Sequence, residues 1–271
     1  ERALAYIRAG DIYQVNLARR LRAAARGPSP VDGLSVYAAV AKGAPSPYGA
    51  FVEYDDFALL SNSPEMFLRR APGSPVVQTR PIKGTAARGR DRADDERLRA
   101  ELVASRKECA EHLMIVDLER NDLGRVCETG SVNVQDFARV LSLPTVHHLV
   151  STVSGRVREG VGLAELLAAT FPGGSITGAP KVRAMQVIEE LEPVRRGPYT
   201  GAIGFVGLGG QVELSIAIRT AVLARGALYL HVGGGIVDDS WPERELAETE
   251  EKALAWRRAL SRQRPHSVTS Q

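Results

Sequence analysis

Apolar and polar residues alternate with a period of two through much of the first third of the chain, in short runs separated by turn residues, which predicts strands. YGAFVEY (48–54) and FALLS (57–61) flank Asp55-Asp56, a hairpin-like turn, and EMFLRR (65–70) and PVVQTR (75–80) are parted by a Pro/Gly break at 71–75. From Ala93 to about Leu123 the period lengthens: Leu98, Leu102, Cys109, Leu113 and Val116 recur at helical spacing. Strand patterns return at 131–141 and 145–158, and helices are expected at 161–170 and 180–192, the second opening with Pro180 in its first turn. Residues 199–237 predict an antiparallel meander, turning at Gly209-Gly210 and at Arg225-Gly226. A last helix opens near Trp241-Pro242 and runs to about Arg262. Sheet first, helices inserted and meander last predicts an α+β fold rather than a doubly wound parallel sheet. With no repeat and no long linker, one domain is expected over 1–262, followed by a polar, frayed tail at 263–271.

Composition narrows the function classes. Of 271 residues, 44% are apolar and 25% charged, which excludes a disordered chain. No apolar run reaches the roughly 18 residues of a membrane span, and ERALAYIRAG is not a signal peptide. The first residue is Glu1 rather than Met, so a fragment of a longer protein is expected. Cys109 and Cys127 make neither a disulfide framework nor a CxxC metal site, which favours a reducing, cytoplasmic setting. Basic clusters stand at 18–26 and 87–99, but Lys+Arg (35) barely exceeds Asp+Glu (32) and aromatics are 6%, so a nucleic-acid partner is set aside.

Several groups carry candidate chemistry. Glu108 and Glu111 are three apart on one helix, and Glu245 and Glu248 repeat the spacing on the last helix, with Lys252 one turn on. Four such carboxylates suit a hard cation such as Mg2+; solvated helix faces give the same spacing. FPGGSITGAPK (171–181) departs from a nucleotide phosphate loop, because Ala179-Pro180 separates Gly178 from Lys181. It keeps backbone N–H groups at a helix start, with the Ser175 and Thr177 hydroxyls, which suits a carboxylate. Gly233, Gly234 and Gly235 end a strand, either as a plain turn or as a close-approach backbone with no packing role of its own. Lys83, just after a strand and near Arg80 and Arg88, is either a surface lysine or an amine made nucleophilic by its surroundings. His147 and His148 face opposite sides of a strand and cannot readily share a zinc ion. Arg219, amid apolar residues on an expected interior strand, calls for a partner such as a substrate carboxylate.

Taken together, GDIYQVNLA (10–18), SPEMF (63–67), PIKGTAARG (81–89), EHLMIVDLERNDLGRV (111–126), LPTVHHLVSTVSG (143–155), FPGGSITGAPKVRAM (171–185), GPYTGAIGFVG (197–207), AIRTA (217–221), VGGGIVDDS (232–240) and the Glu-x-x-Glu-x-x-x-Lys of 245–252 resemble the chorismate-utilising enzymes. That family includes anthranilate and aminodeoxychorismate synthase large subunits and isochorismate and salicylate synthases. The resemblance implies antiparallel sheets packed face to face with helices outside, and a segment of relatives lying before residue 1. It implies Mg2+ held by Glu111 and Glu248, with Glu108 and Glu245 completing the shell. The ring carboxylate of chorismate would lie near Gly233, Gly234 and Gly235, and the enolpyruvyl carboxylate between Tyr199 and Arg219. Lys83, Glu65 and His148 are placed with the catalytic groups, and Thr85, Ser175 and Lys252 with the substrate contacts.

Two positions imply the chemistry. Hydroxylating relatives carry lysine where this chain has Gln14, and anthranilate synthases typically read PIAGT where this chain reads PIKGT, the aminodeoxychorismate form. The expectation is therefore amination at ring carbon 4 through Lys83, with ammonia either free or supplied by a glutamine amidotransferase subunit. Anthranilate formation at carbon 2 is the nearest alternative, and a non-catalytic chorismate-binding module the more distant one.

Overall fold

The computed structural model describes residues 1–24, 31–144, 146–263 and 267–270, with side chains up to residue 261. The end of the first basic cluster (25–26) and parts of the expected tail (264–266 and 271) lie outside the described residues. In chain order the elements are α1 (Arg2–Arg8), β1 (Gln14–Ala24), α2 (Gly33–Gly43), β2 (Tyr48–Glu53), β3 (Phe57–Ser63), β4 (Met66–Arg70), β5 (Val76–Arg80) and β6 (Ile82–Ala87). Then come α3 (Arg92–Ala104), α4 (Arg106–Gly124), β7 (Asn133–Ser142), β8 (Val146–Arg156), α5 (Leu163–Thr170), a single 3-10 turn (Gly174–Ile176), β9 (Gly178–Ala179) and α6 (Lys181–Leu191). The chain finishes with β10 (Ala202–Val206), β11 (Val212–Ile216), β12 (Thr220–Ala224), β13 (Ala227–Ile236), α7 (Pro242–Gln263) and β14 (Ser267–Ser270). No described helix is long and apolar enough to cross a membrane.

These elements form two compact units. The first comprises Glu1–Pro64, Ile176–Ile203 and Ile216–Gln271. Its sheet runs β14-β1-β13-β12-β3-β2, with β9 beside β1, and its pairs are antiparallel. One core lies where α2 and α7 cover this sheet, around Val36, Val40, Leu60, Leu228, Leu230 and Trp256. A smaller one joins α1 and α6 to β1 through Ala3, Ile12, Val15, Val187 and Ile188. The second unit comprises Glu65–Ser175 and Gly204–Ser215. Its sheet runs β10-β11-β4-β5-β8-β6, with β7 also paired to β8. Here α4 lies on β6, β7 and β8 and buries Ile115, Val116 and Leu123. The architecture is α+β with antiparallel sheets, as the alternation predicts.

Three local expectations change. The helical stretch 93–123 is two helices, because Ser105 adopts an extended conformation and its hydroxyl accepts the Glu108 N–H at 3.3 Å, capping α4. The strand expected across 211–224 is broken at Ala217–Arg219, so β11 and β12 belong to different sheets. Ser267–Ser270, expected in a frayed tail, pairs with Leu21–Ala24 of β1.

β1 itself escapes the alternation test because of its arginines. Arg19 bonds Thr249 and Glu250 of α7, and Arg20 lies over the Tyr229 ring at 5.2 Å, so charged side chains cover a strand whose Leu21 and Ala23 are buried.

Trp256 is the largest fully buried side chain of the described residues. Trp256→Ala is expected to cost about 3–5 kcal/mol, read as a lower urea midpoint, whereas Leu254→Ala, on an exposed face of α7, changes stability by about 0.5 kcal/mol or less.

Candidate active site

The second unit gathers one set of the expected residues. Glu65 immediately precedes β4 and is buried. Its Oε1 accepts the Ser175 hydroxyl at 2.7 Å and, at a longer 3.4 Å, the backbone N–H of Ile82. The next residue is Lys83, which lies on β6 rather than after a strand, with its side chain half-buried. β6 carries a bulge: Lys83 pairs with Leu149 and Thr85 with His148, leaving Gly84 as the extra residue. Gly84 has φ +79, and a Cβ there would stand 3.0 Å from Leu149 Cδ1 and 3.2 Å from Glu108 Oε2. A glycine is thus what lets α4 bring an acid onto the strand. The Thr85 hydroxyl and His148 Nδ1 are hydrogen-bonded at 2.9 Å.

On α4, Glu108 and Glu111 lie one turn apart and are partly buried, with Lys107 4.0 Å from Glu111. His112 is fully buried beside them, with Nε2 2.6 Å from Ser151 Oγ. Burial, reinforced by the charge of Lys83, pushes this imidazole down to about 4. His147 points elsewhere, to Ser142 (2.8 Å) and to Asp95 (3.0 Å), so the two neighbouring rings do face opposite sides. The Arg88 guanidinium, the Gly89 N–H and His147 hold the Asp95 carboxyl well below the usual range.

The first unit gathers the other set. Gly233, Gly234 and Gly235 fall among the last four residues of β13, as expected, and two of them are places of close approach rather than a plain turn. A Cβ on Gly233 would fall 2.5 Å from Leu17 O, and one on Gly234 would stand 3.0 Å from Glu245 Oε2. Lys252 donates to Gly233 O at 2.7 Å and pairs with Glu248 at 2.6 Å. Glu245 Oε1 accepts the Ser240 hydroxyl at 2.7 Å, while its Oε2 is buried with no hydrogen-bond partner among the described residues.

Tyr199 is also buried here, stacked on His231 with centroids 5.3 Å apart and rings 16° from parallel. Burial pushes its phenol up to about 12, and the charge of Arg196, 5.7 Å from the ring centroid, only partly opposes this. Arg196 is in turn fixed by Glu192 at 2.6 Å and by the carbonyls of Ile176 and Asn16. Arg219 is not on a strand: it occupies the link before β12 at φ +48, and its carbonyl accepts the Asn62 N–H. Thr200 N–H donates to Ala217 O and Ala217 N–H to Gly201 O, so the segments carrying Tyr199 and Arg219 run together. Gln14 is fully buried at the start of β1, with neither amide atom hydrogen-bonded among the described residues.

Each unit therefore presents one helical pair of acids. Among the described residues no group of three or more His, Cys, Asp or Glu is disposed to hold a metal ion. Asn16, His231, Arg196 and Glu119 were not singled out from sequence. For Glu119 a signal existed: it is an acid in the stripe His112, Ile115, Val116, Glu119, Asp122, Leu123 that α4 buries. The backbone N–H groups of the 171–181 loop, expected to suit a carboxylate, meet one belonging to the chain, since Gly174 N–H donates to Glu119 Oε1 at 3.0 Å.

The chain belongs to the chorismate binding enzyme family, which it matches over residues 1–258. Within it, the chain is 48% identical over 250 residues to an anthranilate synthase component 1 of Haloarcula marismortui, covering 92% of this chain and 50% of that protein. It is 44% identical over 260 residues to the aminodeoxychorismate synthase component 1 of Bacillus subtilis, covering 96% and 54%. The chain spans about half the length of the curated relatives it matches. Among solved structures it resembles anthranilate synthase component I from Streptococcus pneumoniae, with TM-score 0.84, 38% identity and coverage of 94% and 55%. The menaquinone-specific isochorismate synthase of Escherichia coli gives TM-score 0.87 at 28% identity, with coverage of 96% and 59%.

His231 yields a test of this description. Burial first, then Arg20 and Arg196, pushes its imidazole from 6.5 down to about 4. The unfolded chain then binds more protons between those values, so the stability due to neutral His231 is present above 6.5 and lost as pH falls toward 4. The urea midpoint is expected to drop across that window, and to drop less in His231→Phe, which keeps the ring stack on Tyr199 without titrating.

Proposed function

We propose that the chain catalyses Mg2+-dependent amination of chorismate at ring carbon 4, forming 4-amino-4-deoxychorismate for p-aminobenzoate and folate synthesis. Ammonia comes from solution or from a glutamine amidotransferase subunit. The observation that carries the reading is the junction of β6: Lys83 directly follows Ile82, whose N–H reaches the buried carboxyl of Glu65. An amine and an acid are thereby tied to adjacent backbone.

In this reading the Lys83 amine bonds to ring carbon 2, both ring double bonds shift by one position, and the carbon 4–oxygen bond breaks. Glu65 protonates the departing hydroxyl, which leaves as water. Ammonia then adds at carbon 4, both double bonds shift back, and Lys83 leaves as a free amine. The new nitrogen ends as an ammonium group, and Glu65 regains its proton from solvent. Carbon 2 is occupied while carbon 4 opens, which directs nitrogen to carbon 4. Tyr199 and Arg219 hold the enolpyruvyl carboxylate and the Gly233–Gly235 backbone the ring carboxylate. Thr85, Ser175 and Lys252 complete the substrate contacts, and His148 stands with the catalytic groups.

The chemistry of the donors, though not a gathered cluster, supports magnesium in this reading. All four assigned ligands, Glu111 and Glu248 with Glu108 and Glu245, are carboxylates, which a hard cation prefers, and Glu245 Oε2 is a buried oxygen with no hydrogen-bond partner among the described residues. When bound, the ion supplies positive charge against the dianionic substrate.

Amination at carbon 2 is the second reading, favoured by the 48% identity to an anthranilate synthase component 1. Incubation with chorismate, Mg2+ and ammonium separates the two. Material that a lyase converts to p-aminobenzoate is expected, and fluorescent anthranilate as the product overturns the carbon 4 assignment. Lys83→Ala should lower carbon 4 amination by at least about a hundredfold and abolish the covalent adduct seen by intact-mass analysis.

A further inference from the structure

The loop that ends at Ser175 is held from below by a carboxylate the reaction scheme does not use. Glu119 is almost fully buried on α4, and its Oε1 accepts the Gly174 N–H at 3.0 Å. The fit is close: a Cβ on Gly174 would lie 2.6 Å from Leu118 Cδ2 and 3.2 Å from Glu119 Oε1, so the loop rests directly on α4. One residue later, the Ser175 hydroxyl donates to Glu65 at 2.7 Å.

We propose that Glu119 is a positioning residue, which locks the Gly174–Ser175 turn against α4 and so keeps the Ser175 hydroxyl on the Glu65 carboxyl. Consecutive Cα atoms are about 3.8 Å apart, so fixing the Gly174 nitrogen leaves Ser175 little freedom. A hydrogen bond to an ionised acceptor is about twice as strong as a neutral one, which makes a buried carboxylate a firm anchor. A turn free to slide by about 1 Å would stretch the Ser175–Glu65 contact past hydrogen-bonding range. The inference builds on the reading of Glu65 as the acid, but its geometry does not require turnover.

The test follows the Glu65 carboxyl by carbon-13 NMR in the full-length protein without substrate. Removing a donor from a carboxylate disfavours its charged form. Ser175→Ala is therefore expected to move the Glu65 midpoint upward by about one pH unit. Glu119→Ala should move it the same way by a similar amount, and the double variant no further than Ser175→Ala alone. Glu119→Gln retains an acceptor oxygen, so it should shift Glu65 less, in the same direction, while speeding amide hydrogen exchange at Gly174. If Glu119→Ala does not fold, that Gln variant decides the matter.

An unmoved Glu65 midpoint in the Glu119 variants, or additive shifts in the double variant, overturns the proposal. With chorismate, Mg2+ and ammonium, the alkaline limb of the kcat profile, where the acid Glu65 loses its proton, should shift as the NMR midpoint does while KM stays within about threefold. A wild-type protein that never turns chorismate over sinks the functional reading, and the NMR titration still judges Glu119 separately.

Discussion

A carboxylate removed from water must be met by donors or by positive charge, and the second unit is arranged around that constraint. Glu65 is met by a serine hydroxyl and a backbone N–H and Glu119 by the N–H of Gly174, and the partly exposed Asp95 by Arg88, Gly89 and His147. These contacts join segments far apart in sequence. Ser175 and Glu65 are separated by 110 positions, and Glu119 and Gly174 by 55. The acids therefore act as fixed points at which β4, β6, α4 and the loop after α5 meet. Apolar packing alone would permit sliding, because dispersion contacts are non-directional, whereas a donor 2.7–3.0 Å from an oxygen sets a position.

Glycine supplies the complementary half of the arrangement. Gly84, Gly174 and Gly234 each stand where a glutamate comes within about 3 Å of the place a Cβ would occupy. At Gly234 the nearest atom to that place is the carboxylate oxygen, whereas at Gly84 and Gly174 a leucine, Leu149 or Leu118, shares the space with it. Only Gly84 of the three also needs a positive φ, which it uses to make the bulge between Lys83 and Thr85. The same type of residue thus serves two separate demands, and the bulge is the one that sets how the lysine strand is registered on β8.

Local pattern made much of this fold legible. The β2–β3 hairpin and the β12–β13 turn follow from alternation and turn residues, because both are decided within a few positions. What alternation missed has physical causes that point toward function. β6 reads poorly as a strand because its bulge breaks the two-residue period at Gly84, beside Lys83. The strand expected through Arg219 is interrupted because that arginine takes a left-handed conformation where β11 of one sheet gives way to β12 of the other. The pairs of glutamates were visible from their spacing, yet spacing could not tell a solvated face from a site. The structure adds the approach of Glu245 to Gly234 and of Glu108 to Gly84, which no sequence window contains and which takes these two acids partly out of solvent.

His112 and His231 are both held neutral by burial and by nearby cations: Lys83 for the first, Arg20 and Arg196 for the second. A neutral imidazole offers one donor and one acceptor and adds no charge, so it can support a neighbouring group without competing for an anionic ligand. His231 supports Tyr199 through its ring face, and burial keeps that phenol protonated across the neutral range. A protonated phenol remains a hydrogen-bond donor, the form required to bind a carboxylate. The positive charge beside these two rings comes from Arg20 and Arg196.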